Sequence, residues 1–400
     1  MSEELSHRAE FEHLEPTRRS ALVIHCKLSP YAGAEFLGLS TCKILQEMGF
    51  HVSILSDVFE PSRAEEIYGM GDVLGRCTHI RLPEPTLHPP FRLDYLTRIL
   101  YVIRLARFSR VLNQKDFQLI LSTQSSIFSF PGKRLYHFVY DLNDLFRYPM
   151  PLIVPPYSRP KPFKSVYFYL LRALYARLAP RPSPTWFFVA GPNLNHQFRR
   201  MGHQNSSLFF PPSRVFEPKI PKKNQIIQVS RISPEKRIEM LFELARRLPQ
   251  YSFILAGKNP SAQRLLHPGY SDKLLSKVPA SLDYIETPIV KNPELLEESK
   301  VYLQTSEEWG VLLTLIEAMS AGCIPVVPSV GSGAEIVKLA GVGYIYENLD
   351  DATEKIRLAM EGETRWSPLE ISERAKQFGP GAFENMIRKI CSEDTQNPPT

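Results

Sequence analysis
The chain has 400 residues, 43% hydrophobic and 22% charged, which is more than one ordinary core holds and predicts two globular domains. No apolar run reaches the roughly 18–20 residues of a membrane-spanning helix, the acidic start MSEELSHRAEFEHLEP is not expected to be a secretory leader, and five scattered cysteines without a C-x-x-C pair point to neither a disulfide framework nor a zinc site but to a reducing, cytosolic location. The formal net charge of +6 is uneven: residues 1–216 carry 26 Lys+Arg against 17 Asp+Glu, residues 217–400 carry 22 against 25, and no acidic residue falls between Asp144 and Glu217, so the first half is expected to meet something anionic.

Ala21–His25 is a short apolar run that predicts a buried strand, Gly33 to Met48 predicts a helix ended by Gly49, and His51–Leu55 predicts the next strand. That order opens a parallel α/β sheet. Gly69-Met-Gly-Asp-Val-Leu-Gly75 has the wrong spacing for a dinucleotide loop and follows no predicted strand, so it reads as a surface turn. Leu93–Leu112 predicts a helix, and Gln118–Leu121 and Leu135–Tyr140 predict strands. Residues 145–184 are proline-rich and contain Val166–Leu178, a helix apolar nearly all round; Trp186–Ala190 and Ser207–Phe210 close the first half.

The lysine- and proline-rich FEPKIPKKN that follows reads as a hinge-like linker. Beyond it, Ile226–Val229, Phe253–Ala256, Leu282–Glu286, Val301–Gln304 and Ile324–Val327 predict strands, and Ile238–Leu248, Glu294–Ser299, Leu312–Ala321 and Gly381–Cys391 predict helices. Two doubly wound domains facing a cleft are expected, with ligands at the carboxyl ends of the strands.

Three segments could carry chemistry. Val229-Ser-Arg-Ile-Ser-Pro-Glu-Lys-Arg237 follows the first strand of the second half and opens a helix. Arg231 and Lys236 therefore sit at a strand's carboxyl end, where two cations and a helix N-terminus suit a diphosphate; the alternative is a solvated basic turn. Glu317 lies inside the apolar helix run LLTLIEAMSAG. A buried carboxylate needs a partner, which a ribose diol or a nearby arginine could supply. Gly331-Ser-Gly-Ala-Glu335 after the next strand reads as a surface turn or as backbone N–H groups cradling oxygens.

In order, R-x4-K, S-E-E-W-G, E-A-M-x-A-G-x-I-P-V-V and G-x-G-A-E-I-V resemble the motifs of the retaining GT-B glycosyltransferases of family 4, the glycosyl transferases group 1. Ala32-Gly-Ala-Glu35 is similar to that family's G-G-A-E loop, and Ser207-Leu-Phe-Phe-Pro-Pro212 to the strand that closes its first domain. The last feature looks closest to mannosyltransferases that extend lipid-linked oligosaccharides. The resemblance implies an α/β fold of the GT-B type. Residues 1–216 would form a Rossmann-like acceptor domain, 217–376 a Rossmann-like nucleotide-sugar domain, and 377–400 a helix and tail crossing back.

It further implies that Arg231 and Lys236 bind the diphosphate and stabilise it as leaving group. Glu317 would hold the ribose hydroxyls, Gly33 would let its loop approach the donor phosphate, and Gly310 would open the helix that faces the phosphates. Ile285, Glu286 and Thr287 would flank the base, and Gly333 would lie in the cradling turn. The family's first glutamate, which contacts donor sugar hydroxyls, aligns without gaps to Trp309; keeping the E-x-aromatic-G pattern makes Glu307 its counterpart. His137 and Asp141 are the first-domain candidates near the acceptor. A GDP- or UDP-sugar would be the co-substrate, and no metal or other cofactor is expected, since the two cations take a metal's electrostatic role.

Arg159, Lys161, Lys164, Arg172, Arg177 and Arg181 interleave with aromatic and leucine residues in the acid-free stretch, and Arg104, Arg107 and Arg110 add a second basic stripe. This pattern suits docking at an anionic membrane surface that holds a lipid-linked acceptor; the alternative is an internal helix with snorkelling arginines. Nucleic acid is not expected, because no recognition motif accompanies the charge. A binding or scaffold protein with a degraded site is the competing class.

Overall fold
In the computed structural model the described residues are 19–26, 33–82, 117–123, 133–139, 185–200, 203–258, 269–287, 293–307, 312–362 and 365–396, with isolated positions at 28, 103, 107, 108, 110–112, 130, 170, 173 and 177. The first sheet is built from β1 (Ser20–Ile24), β2 (His51–Ser56), β3 (Thr78–Arg81), β4 (Leu119–Ser122), β5 (Leu135–Val139), β6 (Thr185–Ala190) and β7 (Ser206–Phe209). Helices α1 (Gly33–Glu47), α2 (Pro61–Tyr68), α3 (Gly71–Gly75) and α4 (Pro192–Arg200) belong to the same half. The second sheet is built from β8 (Lys223–Val229), β9 (Ser252–Ala256), β10 (Leu282–Ile285), β11 (Ser299–Leu303), β12 (Ile324–Pro328) and β13 (Tyr344–Tyr346). Its helices are α5 (Ile238–Arg247), α6 (Tyr270–Leu275), α7 (Pro293–Glu298), α8 (Leu313–Ser320), α9 (Ser332–Ala340), α10 (Leu349–Glu361) and α11 (Pro368–Ala375), and α12 (Pro380–Gln396) is the last described helix.

Strand order is β3-β2-β1-β4-β5-β6-β7 in the first sheet and β10-β9-β8-β11-β12-β13 in the second, with every neighbouring pair parallel. Strands buried on both faces are near-continuously apolar; Ala21–Ile24 and Ile324–Val327 fit that rule, and Ile226–Val229 is broken only by Gln228, which is buried and accepts a hydrogen bond from Thr305. The order reverses between β1 and β4 and again between β8 and β11, and such a reversal opens a crevice at the strands' carboxyl ends.

Those ends face each other. Gly33, just beyond β1, is so near the start of α8 that a Cβ there would come within 2.6 Å of Leu313 Cδ1. Gly191, just beyond β6, is likewise close to Glu335 of α9.

The described strands follow the sequence expectation within one or two residues, apart from β8 and β11, which start earlier. β3, β13, α2, α4, α6, α10 and α11 were not foreseen. Two readings are corrected. Gly71–Gly75 is a short helix rather than a surface turn, and Ser332–Ala340 is a helix rather than a turn, with Gly331 at φ 105° just before it. The helices expected at Leu93–Leu112 and Val166–Leu178 lie outside the described residues, save for isolated helical positions.

The linker is also firmer than a hinge-like segment. Arg214 and Phe216 bind α8, and Lys222 Nζ donates to the carbonyls of Glu297 (2.6 Å), Leu296 (3.4 Å) and Ala321, at the ends of α7 and α8. A cation suits helix carboxyl ends.

The final helix crosses back to the first domain. Ile387, Ile390 and Cys391 are buried in its core, Phe383 packs on Phe138 with centroids 5.9 Å apart, and Arg388 pairs with Glu47 at 3.9 Å. Phe383→Ala is expected to cost about 3–5 kcal/mol, read as a shift of the denaturant midpoint in chemical unfolding.

Candidate functional site
At the second switch point the loops leaving β8 and β11 are stitched together. Thr305 Oγ1 donates to the Lys236 carbonyl (2.5 Å) and lies 3.0 Å from Gln228 Oε1. Pro234–Lys236 forms one turn of 3-10 helix, and Arg237 follows at φ 49°, ψ 44°. That left-handed conformation is uncommon for a residue with a Cβ. The Arg237 backbone N–H donates to the Pro234 carbonyl (3.1 Å), and its side chain forms an ion pair with Glu307 on the β11 loop.

Arg231 lies 3.7 Å from Glu235 with its side chain half exposed, and Glu235 accepts from Ser233 Oγ at 2.6 Å. Beside Arg237 and Glu307 a cavity of about 310 Å³ opens at the carboxyl ends of β12 and β13, with Met240, Pro328 and Tyr346 among its lining. The Tyr346 hydroxyl donates to the Gln304 carbonyl (2.8 Å), and burial pushes its phenol up.

Glu317 sits mid-way along α8, 5% exposed. Arg214 clamps it: Nε donates to Oε1 at 2.9 Å and Nη2 to Oε2 at 3.3 Å. The guanidinium also lies 5.0 Å above the Phe216 ring. Burial pushes the Glu317 carboxyl up, and Arg214 pulls against it. Of the two partners foreseen for this carboxylate, the nearby arginine is present.

The other expected residues divide by place. Gly33 stands across the cleft against Leu313, and Gly333 packs where a Cβ would come within 3.0 Å of Gln304 Oε1. Glu286 is exposed just past β10, with Thr287 buried beside it. His137 lies inside β5, 2% exposed, edge-on to Phe187 with centroids 6.1 Å apart. It belongs to the core face rather than to the strand's end. Asp141, Trp309 and Gly310 lie outside the described residues.

Arg214 and Arg237 were not assigned roles from the sequence. The need of a buried Glu317 for a cation was a signal for Arg214, but 103 positions separate the two. Arg237 adjoins Lys236, yet its pairing with Glu307 depends on two loops meeting.

Both sheets, their orders and their opposed carboxyl ends decide the architecture. The fold is GT-B. Residues 210–380 match the family described as glycosyl transferases group 1, so the matched region covers the second domain of this GT-B chain. The sulfoquinovosyl transferase SQD2 of Arabidopsis thaliana is 27% identical over 236 residues, which are 54% of this chain and 44% of that protein. The chain thus aligns to less than half the length of that relative.

Among solved structures, sucrose-phosphate synthase from Thermosynechococcus elongatus superposes with a TM-score of 0.67 at 16% identity, covering 94% of this chain and 99% of that one. Anabaena HepE in complex with UDP and glucose gives 0.63 at 15%, covering 94% and 100%. WaaG, a glycosyltransferase involved in lipopolysaccharide biosynthesis, gives 0.61 at 14%, covering 92% and 99%. In this GT-B fold the cations Arg231, Lys236 and Arg237 gather on one loop at the second switch point, with a buried carboxylate on the helix that follows β11.

Proposed function
We propose that the protein is a retaining glycosyltransferase that moves a hexosyl group from a nucleotide-sugar to a lipid-linked acceptor at a membrane surface. The observation that carries this is the second switch point, where Arg231 and Lys236 stand on the β8 loop and α8, with Glu317, begins opposite Gly33. The match of residues 210–380 to glycosyl transferases group 1 supports it. UDP in the Anabaena HepE complex supports a uridine nucleotide as donor.

Breaking the bond from anomeric carbon to phosphate leaves the electron pair on the departing oxygen and adds one negative charge to the two that the diphosphate of an intact donor carries. Preorganised cations that meet this charge as it develops lower the barrier more than they stabilise bound donor. Arg231 and Lys236 fill that role without a metal. On the retaining route the leaving phosphate oxygen takes the acceptor hydroxyl's proton on the face from which it departs. Glu307, anchored by Arg237, meets the donor sugar hydroxyls.

The acceptor half is basic, and Arg107, Arg110, Leu170 and Arg177 are exposed. These support an anionic membrane as docking partner and a peripheral position on its cytosolic face. Among the described residues no helix is long and apolar enough to cross a membrane.

Purified protein incubated with UDP-, GDP- and ADP-hexoses and lipid extract is expected to form a glycolipid from one donor, with unchanged rate in EDTA. Absence of product and of donor hydrolysis with every sugar would refute the activity. Loss in EDTA restored by Mn²⁺ would refute metal independence.

A further inference from the structure
The linker between the domains contributes more than a connection. Taken with the two residues before FEPKIPKKN, Arg214 and Val215, this linker runs along α8, the helix that carries Glu317. Arg214 takes both Glu317 oxygens, the Phe216 backbone N–H donates to Ser320 Oγ (3.0 Å), and Ser320 Oγ donates to the Glu317 carbonyl (2.7 Å). Lys222 closes the far end at the Ala321 carbonyl. A fork of two parallel N–H···O bonds fixes the plane of a carboxylate as well as its charge. Arg214 in turn is held over Phe216.

We propose that Arg214 is a positioning residue of the donor site: from the linker it fixes the plane and charge of Glu317, so that the oxygen lone pairs it leaves open accept from a nucleotide's ribose hydroxyls. This rests on the donor-site function proposed above. Without Arg214, Glu317 is a lone carboxyl in a site that burial makes costly for charge. It then takes up a proton and loses its strength as an acceptor. The linker is thereby part of the nucleotide site.

The test is a cycle between the protein and the ligand's hydroxyl group. Dissociation constants are measured by calorimetry for UDP, GDP and ADP and for their 2′-deoxy counterparts. The wild-type protein, Arg214→Met, Arg214→Lys and Glu317→Gln are compared with the nucleotide pair that the wild type binds most tightly.

The wild type is expected to prefer the ribose form at least about 10-fold, as sites built around a ligand hydroxyl do. Arg214→Met should bring that preference within about 2-fold, Arg214→Lys should keep an intermediate value, and Glu317→Gln should resemble Arg214→Met. A structural contribution alone would weaken both nucleotides equally and leave their ratio unchanged, which would overturn the proposal. Tighter binding of both by Arg214→Met would also overturn it, since Arg214 would then compete with the ribose.

If Arg214→Met does not fold, Arg214→Lys decides: an intermediate ratio supports the proposal and an unchanged one refutes it. A ratio that collapses in Glu317→Gln but not in the Arg214 variants removes only the contribution of Arg214. No nucleotide binding, or no ribose preference, in the wild type removes the donor-site function itself and this proposal with it.

Discussion
Lys236→Ala is expected to lower kcat by about 100- to 1,000-fold, the usual consequence of removing one preorganised donor to a charge that develops in the transition state. The donor KM should change much less, because the ammonium meets more negative charge as the diphosphate departs than when the donor is intact. Initial rates against donor concentration give both constants. The fold should survive, since the Lys236 interactions that stitch the two loops run through its backbone carbonyl, which alanine keeps. A loss confined to KM would mean that Lys236 only holds the ground state. An unchanged kcat would remove it from the chemistry.

Glu317→Ala is expected to have a large effect of a different kind. It leaves the Arg214 guanidinium in a mostly buried site with its counter-ion gone, and breaking one half of a buried pair costs about 3–5 kcal/mol. Arg214 retains 21% side-chain exposure, so water can reach part of it and the lower end of that range is expected. At about 2–4 °C per kcal/mol for a domain of this size, calorimetry should show a fall in Tm of roughly 6–12 °C. Arg214→Met, Glu317→Met in one chain should recover much of it, because an apolar pair of similar volume removes both charges. A double variant no more stable than Glu317→Ala would contradict this account of the pair.

The two substitutions act at different levels, and the sequence revealed those levels unequally. Both sheets were legible from runs such as Ala21–Ile24 and Ile324–Val327, because strands covered on both faces are near-continuously apolar. The glycine-ended helices and the R-x4-K segment placed Arg231 and Lys236 at a strand's carboxyl end for the same reason. Tyr344–Tyr346 and Thr78–Arg81 escaped because each is short and half exposed, with no long run or alternation to read. Ser332–Ala340 was hidden by its own start: Gly331-Ser-Gly carries turn residues, and here they lead into a helix instead of ending one.

The site was legible as a list of charges and illegible as a set of pairs. Glu317 in an apolar helix announced a buried carboxylate. That Arg214 answers it, and that Arg237 rather than Lys236 takes Glu307, depends on how the linker lies along α8 and on two loops meeting. Sequence spacing does not encode either.

In the proposed function the donor's diphosphate lies at the second switch point, between the β8 loop and the start of α8. A crystal structure with UDP bound tests it most directly. The phosphate oxygens should lie within hydrogen-bond reach of Lys236 Nζ and the Arg231 guanidinium, with the ribose against Glu317. UDP seated instead at the carboxyl ends of β1 and β4, away from Arg231 and Lys236, would contradict it.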